Sequence, residues 1–141
     1  MRSENGFQAG AIVSKGNAAL GTNFRMGGLA NNNPVNGYLN FVSVMATKNN
    51  TRVTFDDLTA GISIDNYTQT GTNPITILLN ENETYIVAIS RENGGDPNDL
   101  IGTLINSDKP IVVNSGSATG SFAQGSGRDY GIDQIVDASK V

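Results

Sequence analysis

The sequence predicts an all-β fold, mostly antiparallel, arranged as a β-sandwich or a barrel-like variant of many short strands. Three observations carry this prediction. Between Ile75 and Val113 the apolar residues fall in short runs with the period of two that a strand imposes, as in Ile75, Ile77 and Leu79 or Tyr85, Val87 and Ile89. These runs are bounded by clusters of Asn, Asp, Gly and Pro, the residues that tight turns select. Heptads, long charged blocks and apolar runs approaching the roughly eighteen residues of a membrane span are absent. The spacing of the turn signals gives roughly nine to eleven short strands.

Gln8 to Val13 is the first candidate strand, and Ser14-Lys15-Gly16-Asn17 the turn after it. Thr22 to Met26 reads as a strand ended by Gly27-Gly28. Asn31 to Gly37 is a loop by its Asn-Pro and Asn-Gly pairs, and the first candidate recognition loop. Leu39 to Ala46 has the β-rich content and length of a buried strand, and Thr51 to Phe55, beyond the polar Lys48-Asn49-Asn50, is its expected hairpin partner. Ile62 and Ile64 mark a short strand, and Tyr67 to Asn73 a Thr- and Gly-rich loop.

The strands at Ile75–Leu79 and Tyr85–Ile89 are apolar on both faces and so read as central, and the polar Asn80-Glu81-Asn82-Glu83 between them has hairpin length. Ile101 to Ile105 and Ile111 to Val113 complete a set of four strands, divided by Asn106-Ser107-Asp108-Lys109-Pro110, with Pro110 where a strand can begin without its N–H. The rest is Gly- and Ser-rich as far as Gly127. Ile132, Ile135 and Val136 share the face of one short helical turn.

The length fits a single domain over residues 1–141, large enough to bury about two-thirds of its unfolded surface. A net charge of −4, with Lys and Arg scattered rather than clustered, argues against nucleic acid as a partner and against binding to an anionic membrane. Membrane insertion is not expected, for want of an apolar span. Histidine and cysteine are both absent, which removes His- and thiol-based catalysis and the usual zinc sites together. Acid pairs remain at Asp56 with Asp57, Asp96 with Asp99, and Asp129 with Asp133, but nothing sets one of them in an apolar pocket that would tune it for hydrolysis. The expectation is a protein that is not an enzyme.

Two polar constellations stand out. Glu92 to Asp99 gathers oxygen side chains around Gly94-Gly95, and Asp96, Asn98 and Asp99 are candidate calcium ligands, since a hard cation takes oxygen donors. The competing reading is an Asx-rich loop bonded to its own backbone. No other cofactor is expected. The second constellation is Arg128, Asp129, Tyr130, Asp133 and Gln134, where a bidentate-capable guanidinium stands among carboxylates and a Tyr. It is a candidate ligand-binding site, or a polar anchor tying a loop to the sheet. Asn49-Asn50-Thr51, Asn66-Tyr67-Thr68 and Asn82-Glu83-Thr84 fit the N-glycosylation sequon, which acts only in a eukaryotic secretory route.

The wording of three segments points to a family. ETYIVAIS at 83–90, DLIGTLINSDKPIVVNSGS at 99–117 and AIVSKGNAALGTNFRMGG at 11–28 resemble the N-terminal domain of IgG Fc-binding protein and its relatives in large secreted proteins of Bacteroidota. Asp129, Asp133 and Gln134 match an acidic signature that follows the family's "kPi.V.sG" strand. Where relatives often carry Cys or His, this chain has neither. The resemblance implies a non-catalytic extracellular or cell-surface module used for adhesion, ligand contact or assembly. Its partners would be a protein or glycan at the cell surface, or neighbouring copies through a sheet edge. The alternatives are a carbohydrate-binding module, weakened by the absence of Trp, and a structural subunit polymerising by strand exchange. A secreted form requires a signal peptide upstream of Met1. In the family further strands follow the DQIV segment at 133–136, so the chain is expected to be a fragment or one module of a larger protein with an open sheet edge.

Overall fold

The computed structural model describes residues 2–4, 8–30, 36–64, 74–120 and 129–141, the side chains of 2–4, 8–10, 119 and 129 excepted. Its strands are β1 (Arg2–Glu4), β2 (Gln8–Gly10), β3 (Gly21–Arg25), β4 (Leu39–Ala46), β5 (Thr51–Asp56), β6 (Ile75–Leu79), β7 (Thr84–Ser90), β8 (Leu104–Gly120) and β9 (Asp129–Ile135). All pair antiparallel: β1 and β2 form a ribbon, and the other seven form one curled sheet. The all-β antiparallel expectation holds.

Alternation decides which side chains make the core. In β4 the even residues Asn40, Val42, Val44 and Ala46 are buried, while Leu39, Phe41, Ser43 and Met45 are half-buried on the other face. In β5 the odd residues Thr51, Val53 and Phe55 are buried, and Arg52 between them is exposed. These faces close over Phe24, Ile89, Ile105, Ile111 and Val113, each fully buried. Each such side chain contributes about 1.5–3 kcal/mol relative to leaving it in water.

The 17-residue β8 organises the sheet. Its first part, Leu104–Ser107, lies between β5 and β3, and its later part, Ile111–Ser117, between β4 and β9. Residues 108–110 take part in no ladder pair, so Pro110 deprives no partner of a donor. The Asn106–Pro110 cluster, read above as a turn between two strands, is instead the place where one strand changes neighbours. The expected strand at Ile101 is also corrected, because Pro97–Leu100 is a 3-10 turn and β8 starts at Leu104.

Both expected hairpins are overturned. β4 pairs with β7 and β8, not with β5, and β6 pairs with β5, not with β7. With the order β6-β5-β8-β4-β7, the strands read as central lie at the two ends, and Leu78 and Ile86 on their outer faces are each 61% exposed. A four-residue polar connection suits a hairpin and a crossing between sheet regions equally. Here the two connections brace each other, as Glu81 N donates to Asn49 Oδ1 (3.1 Å) and Asn82 N to Ala46 O (2.9 Å), while Asn80 N donates to Glu83 Oε2 (2.6 Å) within the second connection. Asn50 and Asn82 take positive φ, 54° and 67°. The Lys109 ammonium donates to the carbonyls of Asn49 and Asn50, both at 2.7 Å, and so fastens the change-over in β8 to the first connection.

Three further expectations change. Ile132, Ile135 and Val136 do not form a helical turn, since β9 runs as a strand to Ile135. The first strand stops at Gly10 rather than Val13. Ile62 and Ile64 are buried in the core, with only an isolated bridge at Ile64. The loop at Tyr67–Asn73 lies outside the described residues, as does 31–35 of the candidate recognition loop.

After β9 the chain turns back. Asp137, buried, accepts hydrogen bonds from Thr22 N (2.6 Å), Asn23 N (3.1 Å), Ser139 N (2.8 Å) and Ser139 Oγ (2.6 Å). Gly21 makes room for it, because a β-carbon there would lie 2.2 Å from Asp137 Oδ2. Burial alone would raise the Asp137 carboxyl, but the bonds from Ser139, Thr22 and Asn23 outweigh it and hold the group well below the usual carboxylate range.

Candidate functional site

The sequence-selected residues on β9 are divided by the pleat. β9 pairs with β8 in the register Asn114↔Gln134, Ser115↔Asp133 and Gly116↔Ile132. Neighbours in a strand point to opposite faces, so Asp133 is set apart from Tyr130 and Gln134. Tyr130 is half-buried in β9. Asp129 opens the strand opposite Gly120, and Arg128 lies outside the described residues.

Asp133 and Gln134 are joined by one cation. Lys15 Nζ meets Asp133 Oδ2 at 2.7 Å and also donates to the carbonyl of Gln134, while Lys15 N donates to Gln134 Oε1. The loop before the Gly16–Ala19 turn is thereby tied to the outer edge of β9. Asp133 stays 60% exposed, so the ion pair itself stabilises the fold by no more than about 1 kcal/mol.

Asp133 also lines a cleft of about 330 Å³ with Gly27, Gly28, Leu29, Gly116, Ile132 and Ile135. That is near the lower end of the roughly 300–1,000 Å³ range of small-molecule pockets. Glycine shapes its floor. A β-carbon on Gly116 would lie 2.1 Å from Gly131 O, so only glycine lets β9 approach β8 this closely. The lip is held from below: Leu29 N donates to Ser117 Oγ (3.0 Å), Ser117 Oγ donates to Asn40 Oδ1, and Asn40 Nδ2 donates to Pro97 O (2.8 Å). Asn40 is wholly buried.

Sequence reasoning picked out Asp133 but missed Leu29, Ile132, Asn40 and Ser117. The available signal was the glycine of SGS at 115–117, since Gly116 stands where two closely packed strands leave no room for a side chain. The cleft sets one carboxylate, already paired with Lys15, among apolar walls. This suits recognition of a side chain at its mouth.

Asp96, Asn98 and Asp99 lie elsewhere, in the turn that Asn40 touches. Asp96 Oδ1 accepts from Asn98 N at 2.9 Å and caps the 3-10 turn. Burial, and next the charge of Asp96, push the Asp99 carboxyl above its ordinary value. Among the described residues no group of three or more acidic side chains is gathered as a metal site. No described helix is long and apolar enough to cross a membrane.

A family model described as IgGFc binding protein matches residues 10–141. No curated protein and no solved structure matches the chain.

Proposed function

The chain belongs to the IgG Fc-binding protein family, and on that premise we propose that it is a non-catalytic module of an extracellular or cell-surface protein that holds a protein partner by a side chain seated in the cleft. The family is one of binding modules, consistent with extracellular use. The setting that fits the resemblance is a large secreted protein of Bacteroidota, in which the module serves adhesion, ligand contact or assembly.

The observation that carries the reading is the cleft itself, with Leu29, Ile132 and Ile135 around a glycine floor and Asp133 at its edge. Protein interfaces draw most of their affinity from a few aromatic or Arg side chains buried in such pockets, and a site of this size admits one. An Arg of the partner can compete with Lys15 for Asp133, which adds charge selectivity. The carbohydrate alternative has less support, because among the described residues no Tyr or Phe is exposed as a stacking platform.

The test is biolayer interferometry against immobilised immunoglobulin Fc, the ligand in the family's name, beside a glycan array, using the unaltered chain and the variants Ile132→Arg and Asp133→Lys. The proposal expects binding to a protein surface that weakens at least about tenfold in both variants. Glycan binding without protein binding, or protein binding indifferent to both substitutions, overturns it.

A further inference from the structure

Four strands of the curled sheet have an outer edge, and three of these edges are guarded. β3 carries a register break between Gly21 and Asn23, and the N–H groups of Thr22 and Asn23 are taken by Asp137. On β9 the carbonyl of Gln134 is taken by Lys15. β6 is five residues long and begins directly behind Pro74. Proteins use these devices to stop strands of other chains from adding to a sheet.

Among the described residues, none of these devices falls on β7 between Thr84 and Ala88. Thr84–Ser90 reads TYIVAIS, without a charge, Pro or Gly, and its seven residues pair with Ser90↔Leu39 through Thr84↔Met45 with no bulge. Ala46 N donates to Glu83 O and Arg91 N to Tyr38 O, both at 3.0 Å, so the odd-numbered residues direct their backbone groups toward β4. By the alternation of an antiparallel ladder, Thr84, Ile86 and Ala88 direct theirs away from it. Ile86 is 61% exposed between them.

We infer that this edge is a self-association site, and that two copies of the chain join β7 to β7 antiparallel across a two-fold axis at Val87. The occupant follows from self-complementarity. In this register Ile86 of each copy stands opposite Ala88 of the other. These are the residues whose backbone groups point outward, so they exchange both hydrogen bonds. The apolar Ile86 side chain gains an apolar neighbour, where a cross-strand pair stabilises. Just beyond the strand ends the exposed Glu83 of one copy falls opposite the exposed Arg91 of the other, once at each end, so a carboxylate faces a guanidinium at both ends of the seam. Such an isologous contact closes after two copies and leaves the cleft on β9 outside the seam.

Sedimentation of the chain across micromolar to millimolar concentration tests this, with Ile86→Lys and Arg91→Glu as variants checked for folding by circular dichroism. A reversible dimer is expected, its dissociation constant raised at least about tenfold by Ile86→Lys, which sets two lysines near the axis, and raised also by Arg91→Glu. Amide exchange at Ile86 and Ala88 in the unaltered chain supplies a measurement that needs no variant, and it is expected to slow as concentration rises. A chain monomeric at millimolar concentration, a dimer indifferent to Ile86→Lys, or exchange at these two amides independent of concentration overturns the inference.

Discussion

Removing the Asp137 carboxylate is expected to loosen both ends of the described chain at once. Its oxygens accept from Thr22 N, Asn23 N, Ser139 N and Ser139 Oγ. A hydrogen bond to a charged group contributes roughly 1.5–3 kcal/mol, but such bonds are not additive, and Thr22 and Asn23 are exposed enough for water to take over their donors. Asp137→Ala should therefore cost about 2–4 kcal/mol at neutral pH. At roughly 2.1 cal/mol/K of unfolding entropy per residue, a chain of 141 residues loses about 7–14 °C in melting temperature. The carboxyl's folded pKa lies below its unfolded value near 3.9, so its contribution is fully present above about pH 5 and is lost as pH falls below the unfolded value. Thermal melts of the unaltered chain and of Asp137→Asn between pH 7 and pH 2 read this directly, because the amide cannot titrate. The gap between the two should narrow steadily below about pH 4. A gap independent of pH, or an Asp137→Ala variant as stable as the parent, refutes the reasoning.

Further outcomes follow from the same geometry. Gly116→Ala drives a β-carbon to 2.1 Å from Gly131 O and should lower stability by about 2–3 kcal/mol by parting β9 from β8, measured by denaturant melts. Asn40→Ala leaves Pro97 O and Ser117 without their buried partner and should cost about 2–4 kcal/mol by the same measurement. Lys15→Met should change global stability by less than about 1 kcal/mol, yet speed amide exchange at residues 14–16. The proposal that Asp96, Asn98 and Asp99 take calcium is tested by melting in saturating calcium and in chelator: a rise with calcium supports it, and identical curves remove it.

What the sequence disclosed was local. β7 stands close to where alternation places it, and β4 where its β-rich content and length place it, since local composition and order register burial. Strand partners were hidden because Lys48–Asn50 and Asn80–Glu83 are polar connections that say where a strand ends but not where the next one goes. Pro110 misled for a related reason. Its lost N–H matters only if a neighbour requires it, and at 108–110 none does. In the same way Asp133 could be picked out by its motif, but the cleft could not, because Leu29 is far from β9 in the chain and meets it only once the sheet has curled.

Because β8 supplies the neighbour for β3, β4, β5 and β9, the order of synthesis matters. Until Leu104–Gly120 has left the ribosome, the only pairs of the curled sheet that can assemble are β4 with β7 and β5 with β6, two narrow ribbons whose apolar sides, Val42 and Val44 on one and Val53 and Phe55 on the other, have no common strand to bind them. Most of the pairing is between residues distant in sequence, the kind of topology that folds slowly. A nascent chain therefore carries adhesive surfaces through most of its length and resolves them late, as β8 inserts. A chaperone that shields the ribbons until then would act on this protein before any partner of the finished module could reach it.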